Sequence, residues 1–409
     1  MKLVAGRDCT ELIPMYHPFS MKTRASPLNY LKGHEVGVVT DFEFPTYKPD
    51  NGFYEECCEA VKEYFDETGL DPKDWRGGAL RMLPVFAGYA LTYAVVQQFI
   101  PVAWPLQVLA AMAFGVLQVL PLLHVMHDAS HTAIGHSETS FQFWGRLTLD
   151  WMAGASMLSW HHQHTMGHHV YTNVYGADPD LPMGAEPRRF VHRQKWSSLY
   201  QWQWLYMPVL YGLLAFKVRF DDVFFIWGQR MDGPIRVNYY DSPWMRVVAV
   251  KGFWLLYRVF LPLFVWGIPL AQWATLFLVS ELAAGYWLAW NFEVSHISEH
   301  AFFPSGRKAA KEGELEVTWA EAQVLTGVEY AHNNAFTTFM AGALNYQIVH
   351  HLFPSISQYH YPALAPIVMR VCEKYNLPFR VEPNFWAAWV AHVRHLHAMG
   401  QKGQAATLH

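Results

Sequence analysis

The stretch LQVLAAMAFGVLQVLPLLHVM, residues 106–126, runs directly into HDASH, residues 127–131. About 20 consecutive apolar residues are enough for an α-helix to cross the hydrocarbon core of a bilayer. The two histidines that follow are four positions apart, so on a continuing helix they share one face and can reach one metal ion. The sequence therefore predicts a candidate metal site at the point where a membrane span ends.

Three further segments have the length and apolar character of membrane spans, with approximate bounds Leu83–Ala103, Val250–Gly267 and Trp273–Phe292. Only Trp104-Pro105 separates the first from residues 106–126, and the short turn Ile268-Pro269-Leu270 joins the last two. The spans are therefore predicted to form two hairpins. The third predicted span contains two cationic residues, Lys251 and Arg258. The side chain of Lys251 can extend to the membrane interface. Three shorter amphipathic stretches are predicted to be interfacial or buried: Leu147–Leu158, Tyr206–Phe216 and Ala335–Ala343.

The composition of the 409 residues excludes several protein classes. Charged residues make up only 16%, against about 25% in soluble globular proteins, and aromatic residues reach 16%. These values exclude a disordered chain. A net charge of −4 gives no basic surface for nucleic acid. Four cysteines without a CxxC pair exclude a disulfide scaffold and fit a reducing compartment.

The basic residues predict the orientation in the membrane. They precede the first span, lie in the long middle segment and follow the last span, while neither hairpin turn carries Lys or Arg. By the positive-inside rule, both termini and the middle segment are expected to be cytosolic. The residues concerned are Arg76, Arg81, Arg188, Arg189, Arg193, Lys195, Lys217, Arg219, Arg307, Lys308 and Lys311. No signal-peptide pattern follows Met1.

Histidine, present 22 times, recurs at ligand spacing near the predicted cytosolic ends of the spans. After HDASH comes a second cluster with an i, i+4 pair and a neighbour, His164, His168 and His169. The third cluster is Gln347, His350 and His351, and His296 ends the fourth span. This set is too large for one metal ion but sufficient for two. Imidazole suits Fe, Zn, Cu and Ni, and the lack of cysteine argues against structural zinc and iron–sulfur clusters.

The other histidines have simpler interpretations. His124 is predicted to be a hydrogen-bonded core residue, and His300 a surface residue. His136, His161 and His162 lie near the clusters in sequence and are candidates for supporting the ligands. His392, His395 and His397 are predicted to form a solvated or interfacial face of a C-terminal amphipathic helix.

Four motifs together resemble those of the membrane fatty acyl desaturases, specifically the front-end desaturases of polyunsaturated fatty acid synthesis. They are HDASH (127–131), QHTMGHHVYTN (163–173) followed by ADPDLP, NFEVSH (291–296) and NYQIVHHLFP (345–354). Their order and the intervening spans match over residues 36–400. Glutamine at position 347, where first-desaturation enzymes have histidine, is typical of the front-end group.

The resemblance implies an all-α membrane protein with four transmembrane helices in two hairpins and a cytosolic helical cap holding a non-haem di-iron site. It implies O₂ and two electrons as co-substrates, and a cis double bond placed between an existing double bond and the carboxyl end. The implied catalytic and metal-binding residues are His127, His131, His164, His168, His169, His296, Gln347, His350 and His351.

Neighbouring residues are given supporting roles by the same comparison. Asp128 is expected to orient a ligand histidine, and Asn173 and Asn291 to lie close to the ligands. The acyl chain is expected in a narrow tunnel for which aromatic residues are the candidate lining: Trp151, Trp160, Tyr171, Trp287 and Trp290.

The N-terminus departs from the family pattern, which begins with a fused cytochrome b5 domain. Residues 1–35 resemble the later part of that domain, with His17 at the second haem-ligand position, while the HPGG motif of the first ligand is absent. We expect His17 to be non-functional here and haem to act only through an external or completed cytochrome b5. The expected division is a remnant at 1–35, a juxtamembrane segment at 36–80, the desaturase domain at 81–400 and a tail at 401–409.

The expected setting is the endoplasmic reticulum membrane, with both termini cytosolic and with cytochrome b5 and its NADH-dependent reductase as partners. The residues of the motifs resemble those of delta-5 desaturases most, with delta-4 and delta-6 desaturation as alternatives. They leave open whether the acyl chain is carried on phospholipid or CoA. A di-iron acyl or sphingolipid hydroxylase, or a sterol-type oxidase, remains a second possibility within enzymes. A histidine-site metal transporter would need ligands within the spans rather than at their ends.

Overall fold

The computed structural model describes residues 4, 6–23, 26–37, 44–182, 186–229, 231–239, 242–304 and 314–402. Helices dominate, as expected for an all-α membrane protein. The α-helices are Leu12–Tyr16 (α1), Pro27–Leu31 (α2), Phe53–Thr68 (α3), Arg76–Val96 (α4), Trp104–Pro121 (α5), His127–Ser130 (α6), Glu138–Gly145 (α7), Met157–Trp160 (α8), His169–Tyr171 (α9), Gln203–Leu210 (α10), Leu214–Val223 (α11), Pro243–Leu255 (α12), Leu270–His296 (α13), Trp319–Leu325 (α14), Ala335–Met340 (α15), Gln347–Leu352 (α16), Tyr361–Lys374 (α17) and Phe385–Gly400 (α18).

Wider and tighter helical turns join several of these helices. The π-helical stretches are Leu122–Met126, Arg146–Ala153, His161–His168, Phe224–Gln229 and Leu256–Val265. The 3₁₀ turns are Ser198–Trp202, Tyr211–Leu213, Leu344–Tyr346 and Gln358–His360. Two of the π-helical stretches adjoin or contain histidine motifs, and π-helical turns are frequent at functional sites.

Short strand pairs complete the described structure. Thr46–Lys48 (β1) pairs in parallel with Glu314–Thr318 (β4), and Met231–Asp232 (β2) pairs antiparallel with Ile235–Arg236 (β3). Glu329–Tyr330 (β5) pairs in parallel with Val381–Glu382 (β6). The β1–β4 and β5–β6 pairs fasten distant parts of the chain to one another but form no extended sheet.

Among the described residues, three helices are long and apolar enough to cross a membrane: Arg76–Val96, Trp104–Ser130 and Val247–Val265. The first three predicted spans are thus confirmed as long apolar helices, with different bounds. The first begins seven residues earlier than predicted and ends at Val96, because Gln98 adopts a left-handed conformation (φ 64°) that breaks the helix. Their outward side chains are exposed and apolar, as a lipid-facing surface requires.

The fourth predicted span lies within α13, which is 27 residues long. It is long enough to cross a membrane but is not among the sufficiently apolar helices, since it carries Glu281, Tyr286 and three tryptophans. It packs closely against α5. A Cβ added at Gly115 of α5 would lie 2.3 Å from the carbonyl oxygen of Ser280, so only glycine permits this approach. The four-span topology stays a prediction.

Buried ion pairs explain the cations in the third predicted span. Glu281, fully buried, contacts the guanidinium groups of both Arg219 and Arg258, the latter at 2.8 Å. Lys251 does not extend to the interface as predicted, because its Nζ lies 2.7 Å from the Asp222 carboxylate. Charges inside a membrane protein are tolerated when they pair internally, and removing one partner of a buried pair costs roughly 3–5 kcal/mol. The pairs therefore tie α11, α12 and α13 together.

Two of the three histidines on α18 are wrongly predicted as solvated or interfacial. His392 and His395 are buried, with ring nitrogens 2.6 Å from the Ile297 carbonyl oxygen and 2.9 Å from that of Phe190. Burial lowers the pKa of each to about 4, so both are neutral packing residues. His397 is exposed, as predicted. The error arises because α18 packs against α10 and the 3₁₀ turn before it, a long-range contact without a local sequence signal.

One further prediction about the architecture agrees with the structure, and the others are not tested by it. Tyr206–Phe216 runs from α10 into α11, and its exposed apolar side chains include Val209 and Leu213, as expected for an interfacial segment. Arg307, Lys308 and Lys311 lie outside the described residues. The divisions at residues 35, 80 and 400 stay predictions, although Leu12 and Met15 pack into the same core as α3 and α17.

Reporter acceptors for N-glycosylation test the orientation. An acceptor inserted beside Trp104 or Pro269 is expected to be modified, and one inserted within residues 186–193 to remain unmodified. The physical reason is that the histidine motifs share one site only if the middle segment and the inner helix ends lie on one side. The same acceptor added at the N-terminus is the control. Modification within residues 186–193 would refute the topology.

Candidate metal centre

The nine predicted ligand residues meet at one end of the long helices. His127 and His131 follow the end of α5, His296 ends α13, and the third motif forms α16. The second motif lies on the π-helical stretch His161–His168 and its continuation, α9. All nine side chains are buried, with at most 6% of any residue exposed. Four separate chain segments therefore converge on one enclosed polar site.

Two groups of histidines that share no member have metal-ligand spacing, and a third group, His169, His350 and His351, overlaps both of them. In each group one ring nitrogen from every member lies within 4.8 Å of those of the other members. The members of the first group are His127, His131, His164 and His350. The members of the second group are His168, His296 and His351. The amide nitrogen of Gln347 lies 2.8 Å from Nε2 of His296, which adds Gln347 to the second group.

His169 lies between the two groups. Its Nε2 is 3.2 Å from Nε2 of His164 and 3.0 Å from Nε2 of His350, both in the first group. Its ring also stacks on that of His351 in the second group, with centroids 4.2 Å apart. The arrangement brings nine candidate donors together, and their binding of two metal ions stays a prediction.

One prediction from spacing is wrong. The i, i+4 pair His164 and His168 was expected to reach one metal ion, but the two residues belong to different groups. The stretch His161–His168 is a π-helix, whose wider turn changes the direction in which successive side chains point. His164 and His169, five residues apart, approach each other instead. A rule for α-helices failed because the helix here is not an α-helix.

Hydrogen-bond acceptors behind the rings orient several ligands. Nδ1 of His296 lies 3.2 Å from the Thr326 carbonyl oxygen, and Nδ1 of His351 lies 2.8 Å from Oε1 of Gln323. Both acceptors require a proton on Nδ1, which leaves the Nε2 lone pair directed into the site. No sequence motif predicts a role for Gln323 or Thr326, since both lie outside the four motifs.

Carboxylates hold His168 from the same side. Its Nδ1 lies 3.2 Å from Oδ2 of Asp178 and 3.3 Å from Oδ2 of Asp180. Burial lowers the pKa of His168, but these two carboxylates outweigh burial and raise that pKa to about 9. Asp178 also accepts a hydrogen bond from the backbone N–H of Asn173. The motif ADPDLP supplies both acids, so the signal was present in the sequence although no role was predicted for it.

The chemistry of the donor set fits metal ions. Burial and neighbouring imidazoles hold the pKa of His164, His169, His350 and His351 well below its usual value, so these rings are neutral and their lone pairs free. Among the described residues, Nε2 of His131, Nε2 of His351 and Oε1 of Gln347 are buried without a hydrogen-bond partner. Buried polar atoms rarely remain unsatisfied. Two metal ions would satisfy them, and these residues would hold them.

Asp128 does not orient a ligand histidine as predicted. Its Oδ2 accepts hydrogen bonds from the hydroxyl of Ser357 and the backbone N–H of Gln358. Asp128 thus fixes the loop that follows the third motif. Asn173 donates to the carbonyl oxygen of His296 at 2.9 Å and so supports that ligand, whereas Asn291 donates only to Trp287 within its own helix.

Glu329 is a supporting residue that sequence reasoning missed. Fully buried, it accepts a hydrogen bond from the backbone N–H of Val349 through Oε1 and contacts His332 through Oε2. A carboxylate in the first turn of a helix stabilises that end. Glu329 therefore fixes α16, which carries Gln347 and two of the histidines.

The remaining candidate histidines do not join the site. His124 is buried and bonded to the Phe339 carbonyl oxygen, as predicted, and His300 is exposed. His162 bonds to the Leu158 carbonyl oxygen, and His136 is exposed beside Asp71. His17 is exposed at the end of α1.

The aromatic residues predicted to line a tunnel are scattered. Trp160 stacks on His164, with centroids 4.3 Å apart. Tyr171 packs in a core against Tyr47, and Trp151 is exposed beside Phe253. The other two, Trp287 and Trp290, pack against each other.

A cavity of about 1070 Å³ lies beside the first group instead. Apolar side chains from the N-terminal segment and from the body of the protein line it, among them Leu12, Phe19, Phe141, Met166 and Ile356. Tyr16 and Ser130 also line it, and both contact residues of the first group. Its volume slightly exceeds that of common small-molecule sites, which is about 300–1,000 Å³.

A model of the fatty acid desaturase family matches residues 103–383. An acyl-lipid (8-3)-desaturase of Mortierella alpina is 36% identical over 97% of this chain and 88% of that protein. The delta(5) fatty acid desaturase A of Dictyostelium discoideum is 36% identical over 97% of this chain and 85% of that protein. An sn-1 linoleoyl-lipid 6-desaturase of Synechocystis is 30% identical over 86% of this chain and 96% of that protein.

The chain belongs to the fatty acid desaturase family. This fatty acid desaturase is therefore an oxygen-dependent oxidoreductase, and the resemblance stated from its motifs is confirmed. All four histidine motifs lie within the matched residues, whereas Tyr16 and the N-terminal wall of the cavity precede them.

Removal of single ligands tests the metal centre of this desaturase. His351→Ala removes a member of the second group, and His169→Ala removes the ring between the groups. Each is expected to abolish activity and lower the bound metal while the protein still inserts into the membrane. His397→Ala, an exposed histidine on α18, is the matched control. Retained turnover in fully expressed His351→Ala would remove that residue from the ligand set.

Gln347 is tested separately. An amide can ligate weakly or hold a water molecule and alanine can do neither, so Gln347→Ala is expected to abolish activity. Gln347→His restores a nitrogen donor and is expected to retain more metal than the alanine variant, which metal analysis of the purified proteins measures. If Gln347→Ala keeps near-normal turnover, the position is only structural.

Proposed function

We propose that this protein is a front-end desaturase that introduces a cis double bond at delta-5 of a polyunsaturated acyl chain, with two iron ions held by the nine residues of the metal centre. The observation that carries the proposal is the pair of buried histidine groups, completed by Gln347 rather than by histidine. Bound iron would supply the O₂-dependent oxidation of unactivated C–H bonds.

The protein's own residues do the rest of the work. The acids Asp178 and Asp180, Gln323 and the Thr326 carbonyl oxygen hold the imidazoles in fixed orientations. Burial of all nine ligand residues limits the access of water. The protein must also hold one pair of methylene groups of the acyl chain at a fixed distance from the metal centre.

We propose that the cavity beside the first group receives the acyl chain. Its wall is largely apolar, and its edge at Tyr16 and Ser130 lies against His131 and His127. A chain that enters along this wall would reach the ligands at their cavity side. Because the N-terminal segment forms part of the wall, it would contribute to the depth that a chain can reach.

The names of similar proteins support the proposed position of the new double bond and the proposed carrier of the acyl chain. Three of them are acyl-lipid (8-3)-desaturases and two are named as delta(5) desaturases or probable ones, whereas others are 6-desaturases or (7-3)-desaturases. We therefore propose a lipid-bound rather than a CoA-bound substrate. We further propose an endoplasmic reticulum location and electrons delivered by cytochrome b5 and its NADH-dependent reductase.

Feeding experiments test this function. The chain is expressed in a host without polyunsaturated acids, together with cytochrome b5 and its reductase, and the cells receive an acid whose first double bond is at carbon 8. A new cis double bond at carbon 5, appearing in phospholipids before the acyl-CoA pool, is the expected product. The His351→Ala variant is the control for the host's own enzymes.

Other products would contradict parts of the proposal. A new bond at carbon 4 or 6 from acids with suitable double bonds would identify the alternative positions. A hydroxylated acid would identify a hydroxylase. No product from any polyunsaturated acid, with the protein expressed and iron bound, would refute the proposed activity.

A further inference from the structure

Tyr16 contacts a metal-ligand histidine from outside the part of the chain that matches the family. Its hydroxyl oxygen lies 3.2 Å from Nδ1 of His131, and the two rings are nearly parallel, with an angle of 24° between their planes. The family model begins at residue 103, which is 87 residues after Tyr16. The four histidine motifs therefore do not contain every side chain that reaches the ligands.

The position of Tyr16 is fixed by the packing of α1. Met15 is fully buried and Leu12 is 5% exposed, both in the core shared with α3 and α17. The hydroxyl of Ser355, which follows the third motif, donates to the carbonyl oxygen of Met15 at 3.3 Å. The segment is thus held both by the core and by the loop next to His351.

The hydroxyl of Tyr16 can accept a hydrogen bond from Nδ1 of His131. A phenol oxygen accepts as well as donates, so the 3.2 Å contact allows Nδ1 to carry the proton of the neutral ring. The other ring nitrogen, Nε2, has no partner among the described residues and is left for a metal ion. With Nε2 on the metal side, the hydrogen bond runs from Nδ1 of His131 to the oxygen of Tyr16.

This direction determines the tautomer of His131. If Nδ1 donates to Tyr16, then Nδ1 carries the proton and Nε2 has a free lone pair. Nε2 of His131 is buried, has no hydrogen-bond partner among the described residues, and lies with the ring nitrogens of the first group.

We propose that Tyr16 is a positioning residue of the metal centre and fixes His131 in the orientation and tautomer that bind metal through Nε2. The proposal rests on the metal centre described above. It assigns to the N-terminal segment a part in holding a metal ion, in addition to its place in the wall of the cavity.

Metal retention by the purified full-length protein tests the proposal. Tyr16→Phe keeps the ring and removes only the hydroxyl. Loss of such supporting hydrogen bonds typically weakens metal binding about 10- to 100-fold, so iron should be lost to a graded chelator at correspondingly lower chelator concentration. Tyr30→Phe, in the same segment and 76% exposed, is the matched control and should match the wild type.

The melting temperatures of the metal-free wild type, Tyr16→Phe and Tyr30→Phe are measured alongside, which separates a loss of metal binding from a loss of stability.

The outcomes are distinct. A wild type that binds no iron overturns the metal centre and this inference together. Iron retention by Tyr16→Phe equal to that of the wild type and of Tyr30→Phe overturns the inference alone. A lower melting temperature of metal-free Tyr16→Phe, with unchanged iron retention, would show that Tyr16 only stabilises the fold.

Discussion

Eight buried imidazole rings in mutual contact are the constraint on which the rest of this structure depends. Burial and the neighbouring imidazoles hold the pKa of five of these rings well below its usual value, so these five rings are neutral. Neighbouring ring nitrogens lie 3.0–3.2 Å apart, and Nε2 of His131 and Nε2 of His351 have no hydrogen-bond partner among the described residues. Metal ions between the rings would supply that partner.

Such a site must be held from outside, since the ligands belong to four separated segments. Long helices bring three segments to one level, and Glu329 fixes the short helix that carries the third motif. Backbone carbonyls, amides and carboxylates behind the rings set the direction of the lone pairs. The buried pairs of Glu281 with Arg219 and Arg258 keep the helices together where lipid surrounds them.

Much of this could be read from local patterns in the sequence. Apolar length predicted three of the long helices, and the nine ligand residues follow from histidine spacing at the helix ends together with the family resemblance. Spacing could not divide them into two groups, because His161–His168 is a π-helix rather than an α-helix. The roles of Asp128, His392 and His395 were also mistaken, since each is set by a contact with a distant segment.

Long-range packing also explains what the sequence left unassigned. Tyr16 is 115 residues from His131, and Gln323 is 28 residues from His351, so neither contact has a periodic signature. The cavity is bounded by segments that meet only in the folded protein, which is why aromatic residues near the motifs were a poor guide to it.

X-ray absorption at the iron K-edge of the purified full-length protein, combined with its iron content, tests the central claim most directly. The account predicts about two iron ions per chain, nitrogen-dominated coordination and the outer-shell scattering typical of several imidazole rings. Coordination by sulfur, oxygen ligands without imidazole scattering, or a chain that takes up one metal ion or none, would contradict it.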